Sequence, residues 1–307
     1  MIQGLHHVTA ITGNIRKSIR FYTEVLGLNF VKKTVNFDNP NIWHFYFGNQ
    51  TGAPGTVITF FAQPGLQRGQ VGVGSTKVCG LSVSESSLDF WKKRLREYQV
   101  EFRGPFNRFG EDYLVIFDFD GLELELVGAH SDSRQGAETA GIRASNSIKG
   151  LHHIEITCSN ADKTNSFFTY YLGHTKLKEE NGRFRLFSGD ALPGHYLDVV
   201  SRPTLPLHRS GIGTVHHVAF AVPDQEVLKL ARDKMAKGCN QISPVYDRQY
   251  FKSIYFREPG GVKLELATKD PGFLIDEPLN QLGTGLMLPP WLESDREKIT
   301  EALPSVD

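Results

Sequence analysis

The chain has 307 residues, 40% of them hydrophobic and 22% charged, values within the globular range and sufficient for two ordinary domains. Lys plus Arg and Asp plus Glu balance at 34 each, with a pI near 7.2, so the basic stripe that nucleic acid requires is missing, as is a polybasic membrane patch. No apolar run approaches the ~20 residues that span a bilayer, and the opening MIQGLHHVTA lacks a signal-peptide pattern. The three cysteines, Cys79, Cys158 and Cys239, are widely spaced and suit a reducing compartment better than a disulfide framework. The expected location is the cytoplasm.

Four segments open alike: LHHVTAIT at 5–12, VCGLSVSE at 78–85, LHHIEITC at 151–158 and VHHVAFAV at 215–222. Each reads as a short strand followed by a cap-like polar residue and a helical pattern. Ile15, Ile19, Tyr22 and Leu26 recur behind Asn14. Leu88, Trp91, Leu95 and Tyr98 carry the second pattern, and Phe167, Phe168, Tyr171 and Leu172 follow Asn160. Leu228, Ala231 and Met235 follow Asp224 and are expected to stop at Gly238. Alternating stretches then read as strands, among them NIWHFYFG, GTVITFFA, GLELELVG, RFRLFSG and GVKLELAT.

The unit is therefore β-α-β-β-β, repeated four times in an α+β chain. The predicted division is an N-terminal pair of units over 1–127, a small, polar linker over 128–147, a C-terminal pair over 148–269 and a tail over 270–307 with one short helix in WLESDREKITEAL. Paired units would curl their mixed sheets into two cupped barrels, each with a concave inner face.

Superposing the units places His7, Gly80, His153 and His217 in one column, and Thr59, Glu125, Asp198 and Glu265 in another. The two columns are 52, 45, 45 and 48 residues apart in the successive units, so they occupy equivalent places. In VHHVAFAV, Val218, Phe220 and Val222 form a bulky face, and His217 lies on the opposite face with Ala219 and Ala221. In GVKLELAT, Glu265 points away from Leu264 and Leu266. A strand histidine or glutamate alone is usually packed or solvated. Both types in register on the cup side, however, form a two-histidine, one-carboxylate set for a divalent metal with open positions. Only unit 4 supplies both types. If it pairs with unit 3, His153 completes the set; if with unit 1, His7 does. Spacing leaves both open, and Gly80 excludes a second complete site.

The chain resembles the vicinal oxygen chelate superfamily of glyoxalases, bleomycin-resistance proteins and extradiol dioxygenases, and more closely its hydroquinone-type ring-cleaving dioxygenases. The resemblance is carried by LHHVTAITG, FVKKTVNFDNP, HFYFGNQTGAPGT, VHHVAFAVPD, DRQYFKSIYFREPGGVKLELAT and PGFLIDE. It implies the vicinal oxygen chelate fold and one Fe(II) per chain, with Mn or Zn as lesser alternatives, held by His7, His217 and Glu265. Catechol-cleaving relatives would favour His153, and unit 3 here keeps a full His-His pair. The substrates implied are a small hydroquinone- or catechol-like diol and O₂. Arg248 and Tyr255 would be charge-stabilising donors and His6 a proton acceptor; Thr9, on the strand face of His7, would line the pocket. Trp43, His44 and Tyr46 form either an aromatic wall or core.

Two other functions remain at this stage. A glyoxalase-like isomerase or lyase would need a fourth ligand where Thr59 stands, and a non-catalytic aromatic-binding protein would hold no tight metal. RGQVGVGS is not a phosphate loop, because no helix or GK[ST] follows, and no GxSxG marks a nucleophile. Homo-oligomerisation is left open.

Overall fold

The computed structural model describes residues 2–136, 138–139, 141–236, 239 and 241–306. Four units follow one another, each β-α-β-β-β. Unit 1 contains β1 (Leu5–Thr12), α1 (Ile15–Arg20), β2 (Asn29–Asn36), β3 (Asn39–Gly48) and β4 (Val57–Ala62). Unit 2 contains β5 (Ser75–Ser84), α2 (Leu88–Glu97), β6 (Phe102–Arg108), β7 (Glu111–Phe117) and β8 (Glu123–Ala129). Unit 3 contains β9 (Gly150–Cys158), α3 (Ala161–Leu172), β10 (Thr175–Glu180), β11 (Arg183–Phe187) and β12 (Tyr196–Ser201). Unit 4 contains β13 (Val215–Val222), α4 (Gln225–Ala236), β14 (Tyr246–Asp247), β15 (Lys252–Arg257) and β16 (Lys263–Thr268). The tail ends in α5 (Arg296–Ala302), inside the stretch read as helical. No helix is long and apolar enough to cross a membrane.

Local chemistry sets the helix starts. The Asn14 and Asn160 side chains accept from the amides of Lys17 and Lys163, each at 3.0 Å, and the Asp224 carboxylate accepts from Val227 at 2.9 Å, satisfying donors that a first turn leaves unpaired. Unit 2 departs from this pattern: a 3₁₀ turn over Glu85–Ser87 leads into α2, and Ser87 makes no side-chain cap. The stop expected at Gly238 lies outside the described residues. Past Arg20, α1 widens into a π-helical turn over Phe21–Val25.

Two curled, mixed eight-stranded sheets result. Their orders are β14-β15-β16-β13-β1-β4-β3-β2 and β10-β11-β12-β9-β5-β8-β7-β6. Unit 1 thus shares a sheet with unit 4, through antiparallel β1 and β13, and unit 2 with unit 3, through β5 and β9. Sheets do not follow the 1–127 and 148–269 halves of the chain, since each half gives one unit to each sheet. The linker is held in place: Arg134 donates to the carbonyls of Gly55 and Leu151, joining the two sheets.

Strand alternation separates the two faces. Val218, Phe220, Val222, Leu264 and Leu266 join the main core with Leu228, Ala231 and Met235 of α4. Ala219, Ala267, Tyr46, Tyr250, Phe251 and Phe273 form a second cluster on the other face, as period-two patterning requires.

The register corrects one column of the sequence superposition. His7 faces Ala219 and Thr9 faces His217. In the other sheet Val78 faces Glu155 and Gly80 faces His153. Because His153 is followed two residues later by Glu155, and His217 by Ala219, the counterpart of His7 is Val78, and Gly80 is the counterpart of Thr9. Unit 2 still lacks the histidine. Gly80 has its own packing reason: a Cβ there would sit 2.2 Å from His153 Nδ1.

Candidate metal centre

The pairing of units 1 and 4 brings His7, His217 and Glu265 together in the first cup. One donor atom from each lies within 4.8 Å of the others, and all three residues are buried. Glu265 Oε2 is 2.9 Å from His217 Nε2 and 3.4 Å from His7 Nε2, and the two imidazoles cross at 84°. Despite these approaches, both oxygens of the wholly buried Glu265 lack a hydrogen bond. Three lone pairs therefore converge on one point instead of pairing with each other. Ligands about 2.1 Å from a common cation would stand roughly 3.0–3.4 Å apart, which these spacings match. The residues fit a divalent metal, and an uncompensated buried carboxylate is otherwise costly.

Adjacent histidines fix the ligand tautomers. His6 Nε2 lies 3.1 Å from the Thr268 carbonyl, so it carries the proton and donates, leaving Nδ1 to accept from His7 Nδ1 at 2.9 Å. That leaves the lone pair of His7 Nε2 facing Glu265. His216 repeats the arrangement on His217, with the two Nδ1 atoms 2.7 Å apart. Burial keeps His6, His217 and His216 neutral, pushing His6 down to about 3, His217 to about 4 and His216 to about 2.

His7 and His217 border a cavity of about 340 Å³ whose lining also includes Phe61, Tyr46, Tyr255 and Phe251, a size suited to a small ligand. Tyr255 faces Glu265 across β15 and β16. Burial and the charge of Glu265 push its phenol well up, so it stays a donor. Arg248 borders the mouth, its guanidinium 5.2 Å from the Tyr255 ring centre and paired with both oxygens of Asp38 at 2.9 Å. Its Nε is buried without a partner.

Two expected roles do not match these positions. His6 is absent from the cavity lining and both its nitrogens are engaged, so it positions His7 and has no free site for a substrate proton. Thr9 is fully buried behind the wall, where it accepts from Thr59 Oγ1 at 2.8 Å. Of the three aromatic candidates, His44 and Tyr46 line the cavity, whereas Trp43 faces the core, donating to the Pro304 carbonyl. His153 lies in the other sheet, so it cannot join His217. Sequence reasoning missed His216, Lys263 and the hydrogen-bonded order of Tyr46 and His44. The His-His pair of unit 4, read by analogy with His6 and His7, is the signal that points to His216.

The tail closes the back of the cavity. Lys32, fully buried, pairs with Asp276 and Glu277, and Phe273 packs on Tyr46 and Tyr250.

Comparison with known proteins agrees with this architecture. Residues 4–126 and 150–266 match the model of the Glyoxalase/Bleomycin resistance protein/Dioxygenase superfamily. A Bacillus subtilis protein named "Putative ring-cleaving dioxygenase MhqE" is 41% identical over 99% of both chains. The chlorohydroquinone/hydroquinone 1,2-dioxygenase of Sphingobium indicum is 30% identical, covering 98% of this chain and 96% of its own. A crystal structure of a Bacillus subtilis protein described as a "putative dioxygenase" superposes with a TM-score of 0.95 at 36% identity, covering 100% of this chain and 98% of the other. With the four repeated units and the convergent triad, these matches make the chain a member of the glyoxalase/bleomycin resistance protein/dioxygenase superfamily.

Proposed function

We propose that the protein is a ring-cleaving dioxygenase of extradiol type, using one Fe(II) and O₂ on a hydroquinone- or catechol-like diol. The observation that carries this reading is the buried, unpaired Glu265 beside His7 and His217, two histidines that line a cavity sized for one ring. Two histidines and one carboxylate with open positions are the set used by non-haem Fe(II) oxygenases. A relative named as a ring-cleaving dioxygenase and one named as a hydroquinone dioxygenase support the dioxygenase part of this reading. Thr59 argues against a glyoxalase-like site, because the position where unit 1 would supply a second carboxylate holds a hydroxyl donating to Thr9.

When bound, the metal supplies Lewis acidity and open positions, and it lowers the pKa of a bound phenol. The chain's own groups do the rest. His6 and His216 hold the ligand imidazoles by their Nδ1 atoms. Tyr255 and Arg248 donate to substrate oxygens and stabilise charge that develops there. Phe61 and Phe251 hold the ring and keep water out. Tyr46 and His44 form a polar stretch of the cavity wall that orients the tyrosine hydroxyl toward the ring. Tyr46 hydroxyl donates to His44 Nδ1 at 2.9 Å, and His44 Nε2 lies 2.8 Å from Thr59 Oγ1. Burial, chiefly, holds His44 well below its usual pKa and hence neutral, so it accepts the Tyr46 hydrogen bond without taking up the proton.

The test is anaerobic loading with Fe(II), then oxygen uptake with a panel of hydroquinones and catechols. The expected result is one iron per chain and oxygen consumption with at least one diol. Stoichiometric iron without uptake on any ring would overturn the reading.

A further inference from the structure

The metal cavity adjoins a smaller one of about 180 Å³, and His216, His217 and Lys263 border both. The remaining wall includes Ser75 and Thr76, contributed by β5 of the other sheet, and Arg257 at the end of β15. No Asp or Glu lines it.

Three features of this pocket call for an anion. Arg257 and Lys263 stand directly opposite each other across β15 and β16, where like charges repel. Among the described residues neither has a carboxylate in ion-pair contact: Arg257 donates to the Gly261 carbonyl, and the Lys263 ammonium lies over the Tyr255 ring at 5.2 Å. The fold itself does not require this cation pair, because the equivalent strand positions hold Phe117 opposite Glu123 in unit 2 and Phe187 opposite Tyr196 in unit 3. Finally, Thr76 is only 2% exposed and its hydroxyl has no hydrogen-bond partner. A buried hydroxyl of that kind costs stability unless a ligand satisfies it.

We infer that this pocket is a carboxylate subsite beside the metal cavity, in which Lys263 and Arg257 bind the anion and Thr76 donates to it. A ring in the larger cavity directs a carboxylate substituent toward Lys263, where the two cavities adjoin. The ring's place rests on the proposed function; the affinity for a carboxylate does not.

The test is calorimetric titration of the metal-loaded, full-length protein with benzoate, with benzyl alcohol as its uncharged counterpart, and with acetate. Benzoate should bind at least tenfold more tightly than benzyl alcohol. Lys263→Met and Arg257→Met should each remove most of that preference, and Lys263→Arg should retain it. Equal affinity for the two rings would overturn the subsite. So would a preference that survives both methionine variants, since the carboxylate would then sit on the metal. Acetate binding as tightly as benzoate would keep the subsite and overturn the ring-bearing ligand. Benzoate has no diol to cleave, so failure here leaves ring cleavage standing, and a failed oxygen assay leaves this subsite standing.

Discussion

The two cups are built from the same unit and differ in what stands at the centre. In the first, Glu265 meets only imidazoles. In the second, every corresponding acid meets a guanidinium. Arg108 is bidentate to Glu125 at 2.9 and 2.7 Å, Arg185 joins Asp198 to Glu111, and Arg183 lies 2.6 Å from Glu155. His153 is there too, 3.3 Å from Glu125, and His152 supports it by the same Nδ1 contact at 3.0 Å. A His-His pair near carboxylates thus does not by itself leave an acid without a cation partner. The deciding position is opposite the acid: Tyr255 faces Glu265, whereas Arg185 faces Asp198. A fixed cation occupies the second cup, and the first leaves its acid for a mobile one.

The strongest way to break this comparison is to remove that fixed cation. Arg185→Leu leaves Asp198 buried and short of its main partner, a situation that costs about 3–5 kcal/mol. Urea unfolding should show that loss, while metal content per folded chain stays unchanged. A decrease in metal content would mean the cups are coupled. A more moderate effect is expected from the supporting histidines. His6→Leu and His216→Leu should each weaken metal binding about 10–100-fold, measured by competition with a chromogenic chelator. His152→Leu should leave it unaltered, because its partner His153 lies outside the convergent set of His7, His217 and Glu265.

The smallest effect concerns the seam between the sheets. His174, buried between Phe168 and Phe220, has no partner for either nitrogen, and burial lowers it from 6.5 to about 3. Its folded pKa is depressed, so below 6.5 the unfolded chain binds a proton that the folded one refuses. Stability is therefore lost as pH falls from 6.5 toward 3, at up to about 1.4 kcal/mol per unit from this residue. His174→Phe should make the decline between pH 6.5 and 5.5 shallower by about that amount in urea unfolding. An unchanged slope would assign the acid sensitivity to the metal-site histidines.

Much of this was legible in the residues themselves. Repeated openings, Asn caps and strand alternation gave the four units and put His217 and Glu265 on one face. The choice of unit 1 as partner was not legible from spacing, because pairing across a sheet depends on contacts between opposite ends of the chain. Unit 2 misled by its opening: without histidines to align on, VCGLSVSE admits a slip of two residues that preserves every inward and outward face, so the pattern could not detect it. Arg183 and Arg185 in RFRLFSG look like solvated strand residues, and only the fold reveals that Asp198 and Glu155 wait beside them. His6 shows a further limit: next to a ligand in sequence, it steadies His7 from outside the cavity, whereas His216 in the same place beside His217 borders it.

The nesting of units 2 and 3 between units 1 and 4 has a consequence for biosynthesis. Glu265 is the last of the three ligands to be made, 258 residues after His7, and contacts that distant in sequence form slowly. The inner pair, by contrast, is complete by Ser201 and can close while the ribosome is still adding unit 4, since domains commonly fold during synthesis. Its arginines give that early intermediate a finished interior with no cation to acquire. β13 can pair with β1 only once unit 4 has emerged, so His7, His217 and Glu265 are the last of the paired residues to be brought together.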